Sequence, residues 1–405
     1  MPAPAGSIRI RMYRVGLGDC FLLSLPVDAG HRHLLVDFGA HPFGGDIGTL
    51  DDVMLDIEQE TGRRLALVVA THEHADHISG FGRFADRFAA FEIGEVWLPW
   101  AMDPEKRRAV EARRRIHALA AELREADGLG FSATQALLNA TGNEDAVAAL
   151  RSKFKGAARR TLYFEAGDTP EPLAGLPGLE VKVLSPPTDD EHLRKMEPPG
   201  SQRYFRLRNG QRQTVNGLEP FGKRYQVPPA EARRLHGFGK KDEDALRALG
   251  AESLDHLAIA IDGVMNNTSL VLLFDFRGQK LLFPGDAQWG NWKSWLDKAT
   301  SGPLLEQVTF LKVGHHGSYN ATPRSALEAM TSPDLAAMVS TQNKPWKSHP
   351  DVKLMRRLRE KSKRVVQSDS LRRSGAPRGP ALPRRMPAGF RRDPHSLWLD
   401  YVVRV

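Results

Sequence analysis

His72, His74, Asp76 and His77 fall within six consecutive residues, in THEHADH, directly after the apolar run RLALVVA. Imidazole and carboxylate are the ligand types that hold zinc, manganese or iron. Residues two apart in an extended segment point the same way, so His72 and His74 can grip one ion as the chain leaves a strand. Asp76 and His77 then turn in at the start of a following helix and face a second ion. Two divalent ions a few ångströms apart can share a hydroxide that is nucleophilic near neutral pH, because a bound ion lowers the pKa of water to about 7.

Further ligand types stand where other apolar runs stop. Asp286 ends LLFPGDA, where a carboxylate could bridge both ions; His315 and His316 end FLKVGHHGS; His349 stands in KSHP after AAMVST. Each alone is weak, but each terminates a strand, as a site along one sheet edge requires.

The elements that must position these residues are legible as periodicity. SIRIRMY, FLLSL, HLLVDF, RLALVVA, GEVWLPW, LEVKVLS, HLAIAIDG, SLVLLFDF, QKLLF, VTFLKV and AAMVSTQ read as strands, and SLWLDYVVRV as one returning to a sheet edge. LDDVMLDIEQETG reads as a helix with a glycine stop, PRSALEAMT as a helix, and a further helix starts near residue 350. Residues 101–160 are rich in Ala, Leu, Arg and Glu at helical spacing, an inserted helical layer; 188–250 is polar, basic and punctuated by Gly and Pro, a second insertion; 371–394 reads as a loose arm. Trp289, Trp292 and Trp295 recur every three residues, as a helix packing into a core would have them. No repeat of 20–50 residues marks a solenoid, and helices between strands in both halves imply helices flanking two packed sheets.

The chain has 405 residues, 41% of them apolar and 26% charged, which excludes a disordered or collagen-like polymer. Cys20 is the single cysteine, so an intramolecular disulfide and any cysteine-based zinc or iron–sulfur site are excluded. No apolar run approaches the roughly 18 residues that cross a bilayer, and MPAPAGSIRIRMYRV lacks the apolar stretch of a secretory leader, so a soluble cytoplasmic protein without membrane insertion is expected. The formal charge is +8, but 361–392 carries +9 and 201–240 carries +7, which leaves an acidic remainder. Such segregation suits an anionic polymer; a solubilising tail is the competing reading. In 201–240 the basic Arg203, Arg206, Arg208, Arg212, Lys223 and Arg224 alternate with Tyr204, Phe205, Phe221 and Tyr225, as phosphate contact and base stacking on a single strand would use them. Arg372, Arg373, Arg384 and Arg385 offer phosphate contact alone.

VGLGDC, LLVDFG, THEHADH, NNTSLVL, LLFPGDA, LKVGHHGS and SHP together resemble the metallo-β-lactamase fold hydrolases, more closely the branch typified by the C-terminal domain of the ComEC DNA-uptake proteins. Phosphorylcholine esterases of cell-wall teichoic acid share much of the signature. The resemblance covers about 1–100 and 255–360 and implies an α/β fold, the metallo-β-lactamase αββα sandwich with a helical and a basic insertion. The expected layout is 1–100 as the first half of that domain, 101–160 the helical insertion, 161–187 core strands, 188–250 the basic insertion, 251–360 the second half and 361–405 a basic arm with a terminal strand.

By resemblance, His72 and His74 bind the first ion, Asp76 and His77 the second, Asp286 bridges, and Asp37 steadies the ligands from behind. The ordinary fold has a ligand histidine between the first motif and the bridging Asp, where this chain offers His117, His192, His236 and His256. The H-H-G-S pair takes over: His316 is assigned to the first ion and His349 to the second, and the roles of His315 and His316 are exchangeable. His315 then faces the substrate and protonates the leaving oxygen, so Asp76, Asp286 and His315 are the catalytic candidates. Ser318, Asn320 and Asn343 donate to a phosphate oxygen or serve as turn residues.

The expected activity is a phosphodiesterase or nuclease using two divalent ions, zinc or manganese with iron also suited, on single-stranded DNA or another nucleic acid. The alternatives are hydrolysis of a small ester, lactone or phosphodiester, and a non-catalytic nucleic-acid-binding module.

Overall fold

The computed structural model describes residues 3–41, 49–124, 129–154, 160–204, 207–208, 211–212, 254, 256–342, 349–370 and 386–405. The strands in chain order are β1 Ser7–Tyr13, β2 Cys20–Val27, β3 Gly30–Phe38, β4 Arg64–Val69, β5 Glu92–Pro99, β6 Arg160–Phe164, β7 Leu179–Ser185, the two-residue β8 Leu207–Arg208 and β9 Gln211–Arg212, β10 Val271–Phe276, β11 Gln279–Phe283, β12 Val308–Lys312, β13 Ala336–Val339, β14 Arg364–Gln367, β15 Phe390–Arg392 and β16 Trp398–Arg404. They form an eight-stranded sheet in the order β15-β16-β1-β2-β3-β4-β5-β6 and a six-stranded sheet in the order β14-β13-β12-β11-β10-β7.

Alternation decides what faces what. Ile8, Ile10 and Met12 of β1 and Phe21, Leu23 and Leu25 of β2 meet Leu272, Phe274 and Phe276 of β10 in a core between the sheets. The opposite faces of the same strands carry Cys20, Leu22, Val271 and Leu273. Those residues pack under helices: α1 (Leu50–Thr61) and α2 (Ala75–Arg83) on the first sheet, Trp289–Leu296 and Val352–Lys361 on the second. The result is the expected αββα sandwich. Trp292 and Trp295 are buried in the outer core of the second sheet.

Three expectations change. HLAIAIDG is helical, part of a helix over 256–266, because Ala258, Ile261 and Met265 recur at helical spacing. They pack on Ala120, Leu123, Ala133, Leu137 and Ala140 of helices Arg107–Arg124 and Phe131–Ala140, so this helix joins those two in one apolar cluster. β16 lies one strand in from the edge, between β15 and β1. Arg391 and Arg392, expected in a loose arm, belong to β15 and pair with Asp400 and Leu399.

Beneath α1, Arg11 of β1 is buried. It holds both oxygens of Asp400 on β16 at 2.8 and 3.0 Å and Asp56 of α1 at 2.6 Å, with its guanidinium 3.8 Å from the centre of the Trp398 ring. Among the described residues no helix is long and apolar enough to cross a membrane.

Candidate metal centre

The parallel strands β3 and β4 end side by side, and the loop 71–74 leads from β4 into α2. His74 is the N-cap of α2, so Asp76 and His77 lie in its first turn. Two glycines let other loops close on that turn: a Cβ on Gly39 would lie 2.4 Å from the His77 nitrogen, and one on Gly18 2.9 Å from the Asp76 oxygen. Asp19 then donates its backbone N–H to the Asp76 carbonyl at 2.9 Å.

Asp37, at the end of β3, has a φ of +57°, a conformation disfavoured for a non-glycine residue. Its carboxylate is held on three sides, accepting from the Thr71 N–H at 2.7 Å, the Thr71 hydroxyl at 2.8 Å and lying 2.8 Å from His77 Nδ1. The arrangement turns His77 Nε2 toward Asp286 Oδ2, 3.1 Å away. His316 likewise has Nδ1 at 3.0 Å from the Ser340 carbonyl and Nε2 at 3.0 Å from Asp76 Oδ2. Asp286 accepts at Oδ1 from the His315 N–H (3.1 Å) and from Lys312 Nζ (3.3 Å), which leaves Oδ2 for the two imidazoles.

Asp76, His77, Asp286 and His316 thus offer ligand atoms all within 4.8 Å of one another, every one of the four residues buried. Beside them His72 Nε2 and His74 Nδ1 stand 3.0 Å apart. Asp19, Asp37 and His77 form a second such group, and Lys312 is also paired with Asp19.

The electrostatics suit cations. Burial opposes ionisation of Asp76 and Asp286, yet His77 and His316 around the first, and His77 and Lys312 around the second, hold both carboxyls well below the usual range. Burial likewise opposes a charged His77 and His316, yet the acids raise both, led by Asp286. Burial keeps His72 well below its ordinary value and His74 down to about 4. Ionised carboxyls that attract positive charge, beside two imidazoles that burial keeps neutral with lone pairs available, are a donor set that suits a cation. Asp76 Oδ1 and His77 Nε2 are buried and make no hydrogen bond. Orphaned atoms of this kind are costly unless an ion satisfies them, so the residues fit two divalent ions.

The placement of His316 departs from expectation: it joins Asp76, His77 and Asp286 instead of His72 and His74. The reason is local, since His315 and His316 both have positive φ and do not alternate as strand neighbours would. His349 stands apart from this cluster, its ring 5.7 Å from that of His315. Both line a cavity of about 200 Å³ beside the cluster. Burial holds His315 below the ordinary histidine range and His349 down to about 3. Ser318 gives its hydroxyl to Asn320 within its own turn at 2.8 Å. Asn343 lies outside the described residues. His117 sits 3.5 Å from Glu73 and His192 2.8 Å from Asp189, so neither joins the cluster.

The opposite wall of the cavity comes from two helices, Phe131–Ala140 and 256–266. Ser132, Gln135, Ala136 and Asn139 share one face of Phe131–Ala140, and Ile259 and Asp262 come from helix 256–266. Asn139 accepts from the Asp76 N–H at 3.1 Å, and Gln135 Oε1 is buried and unbonded. Burial, with Asp76 and Asp286 nearby, pushes the Asp262 carboxyl up to about 8. Asp19, Lys312, Gln135, Asn139 and Asp262 were not among the candidates. Asp19 and Lys312 lie inside VGLGDC and LKVGHHGS, so the motifs themselves were the available signal; the other three arrive through packing of those two helices.

Of the expected nucleic-acid contacts, Arg203 and Tyr204 have described side chains, and both are engaged. Arg203 binds Glu197 at 2.7 Å and the Pro198 carbonyl at 2.8 Å. Tyr204 is half-buried on the second sheet's outer core and donates to Glu328 at 3.1 Å, so it is no open stacking platform. Arg206, Lys223, Arg224, Arg372, Arg373, Arg384 and Arg385 lie outside the described residues, as do the side chains of Arg208 and Arg212. Glu328 is also bound by Arg357 at 2.5 and 2.7 Å, and this contact, with Tyr204, holds its carboxyl down to about 2. A depressed carboxylate stabilises the fold above its unfolded value, near 4.5, and that contribution disappears as pH falls toward 2. NMR titration should therefore show Glu328 protonating near 2, and near its ordinary value in Arg357→Leu; equal midpoints in the two proteins would contradict this reading.

Residues 13–175 match the family model described as the metallo-beta-lactamase superfamily. Among solved structures, the metallo-beta-lactamase fold protein YhfI from Bacillus subtilis is similar over 89% of this chain and 95% of its own, at 10% identity and a TM-score of 0.38. No curated protein in the comparison matches the chain. The chain thus has an αββα fold with a cluster of ligand-type residues at the ends of its strands, and its residues 13–175 are similar to the metallo-beta-lactamase superfamily.

Proposed function

We propose that the protein is a hydrolase that uses two divalent ions, zinc or manganese with iron fitting the same donors, to cleave phosphodiester bonds. The observation that carries this reading is the buried group Asp76, His77, Asp286 and His316, joined to His72 and His74 and open on a cavity of about 200 Å³. When bound, the ions supply a water of lowered pKa and positive charge opposite the oxygen that becomes negative. The chain's own residues do the rest. Asp37, Thr71 and Ser340 fix the tautomers of His77, His72 and His316. Lys312 and the His315 N–H leave Asp286 one oxygen to share. His315, on the cavity wall with Nδ1 unbonded, is placed to give a proton to the leaving oxygen.

The substrate we propose is a single strand of nucleic acid, an anionic polymer whose phosphates the basic segments of the chain would contact. Support comes from the charge segregation of the chain, with +9 in 361–392 and +7 in 201–240. A second reading is favoured by the cavity itself: among the described residues neither Lys nor Arg lines it, as suits a small ester or phosphodiester. One experiment separates them. Ion-depleted protein resupplied with manganese or zinc is given labelled single- and double-stranded DNA and RNA, and in parallel bis(p-nitrophenyl) phosphate, across 50–200 mM salt. Strand cleavage that weakens steeply with salt supports the nuclease; salt-insensitive turnover of the small diester alone supports the second reading. Ion binding without either activity would end the phosphodiesterase proposal.

A further inference from the structure

Three histidines of the centre follow one rule. His77 Nδ1 rests on Asp37 (2.8 Å), His72 Nδ1 on the Thr71 hydroxyl (3.1 Å) and His316 Nδ1 on the Ser340 carbonyl (3.0 Å), and in each the other nitrogen turns inward. An outer partner of this kind fixes tautomer and ring orientation, and its loss typically costs 10- to 100-fold in ion affinity. His74 is reversed. Its Nδ1 faces His72 Nε2 at 3.0 Å and is therefore the inward nitrogen, so Nε2 is the outer one. That Nε2 is buried and makes no hydrogen bond.

The acid beside it is Asp262, with Oδ1 3.6 Å from His74 Nε2. Its other oxygen accepts from Asn266 Nδ2 at 3.0 Å, one turn further along the same helix, which directs Oδ1 at the imidazole. A small side-chain rotation closes that separation to the roughly 3 Å of an N–H···O bond. Helix 256–266 lies outside residues 13–175, which match the superfamily. It is held by Ala258, Ile261 and Met265 against helices Arg107–Arg124 and Phe131–Ala140.

We propose that Asp262 is a positioning residue: its Oδ1 receives the Nε2–H of His74, which presents Nδ1 to the ion shared with His72. The inference rests on the two-ion reading above. It makes helix 256–266 part of what holds the first ion, in addition to walling the cavity.

The test is titration of ion-free protein with zinc by calorimetry, together with long-range 1H–15N NMR of the histidine rings in the zinc-loaded wild type. Two equivalents should bind to the wild type, and His74 should be protonated at Nε2. In Asp262→Ala the affinity for one equivalent should fall 10- to 100-fold while the other is unchanged, and Asp262→Asn, whose amide oxygen still accepts, should recover part of the loss. Two wild-type-like equivalents in Asp262→Ala, an equal loss of both, or a His74 protonated at Nδ1 would overturn the assignment while leaving the two-ion reading intact. A wild type that binds fewer than two equivalents would overturn that reading as well. The NMR arm needs no variant, so a poorly folded Asp262→Ala does not remove the test.

Discussion

Asp286→Asn is expected to lower kcat/KM by about 10³-fold or more, the scale of several kcal/mol at 1.36 kcal/mol per tenfold. Asp286 Oδ2 is the one carboxylate oxygen within 3.1 Å of His77 Nε2 and 3.7 Å of His316 Nε2, while Oδ1 is committed to Lys312 and the His315 N–H. The substitution keeps the shape but removes the charge, and an amide rotated to satisfy its neighbours places an N–H where an ion needs a lone pair. Lys312, buried between Asp19 and Asp286, would at the same time lose half of its compensation. Ion content by mass spectrometry and steady-state kinetics on the same preparation check the claim. Full ion content with turnover within tenfold of wild type would remove Asp286 from its proposed bridging role.

The second large effect concerns stability. Arg11→Met should destabilise the fold by about 3–5 kcal/mol, since breaking one side of a buried pair leaves its partners charged and unmatched. The partners are Asp400, gripped at both oxygens, Asp56, which keeps the Tyr13 hydroxyl at 2.7 Å, and Glu60 at 3.1 Å, which Arg9 also holds at 2.9 Å. Replacing Arg11, Asp56 and Asp400 together by apolar residues of similar volume should recover most of the loss, because Glu60 keeps Arg9 and the cost lies in isolated charge. Denaturant unfolding of the ion-free proteins, compared at constant m-value, provides the measurement. A loss below about 1 kcal/mol would mean that water reaches the acids and that the pairing contributes little.

Much of the centre was legible because its residues sit where strands stop. THEHADH follows β4, GDA follows β11 and HHGS follows β12, and a strand end is a local signal that apolar runs reveal without any tertiary knowledge. The pairing of those residues was not legible. Whether His316 belongs with Asp76 or with His74 depends on the positive φ of two adjacent histidines, which nothing in an H-H-G-S string specifies. HLAIAIDG was misread for a related reason: alternation over a few apolar residues fits a strand, but the helical spacing of Ala258, Ile261 and Met265 wins once helices Arg107–Arg124 and Phe131–Ala140 offer them a surface. With that helix misread, Asp262 could not have been placed. The basic segments show the opposite limit, where composition suggested open contacts but Arg203 and Tyr204 are matched by Glu197 and Glu328.

The pairing of β1 with β16 has a consequence for how the molecule comes into being. Ser7 is registered against Arg404 and Tyr13 against Trp398, so β1 finds its second neighbour in a strand made about 390 residues later. His316, the last of the clustered residues in chain order, emerges during synthesis well before Trp398–Arg404 can complete the sheet beneath it. Closure over such a sequence separation is slow, and until it occurs β1 presents a bare edge to any other nascent strand. Synthesis of the clustered residues and completion of the sheet beneath them are therefore separate events in time.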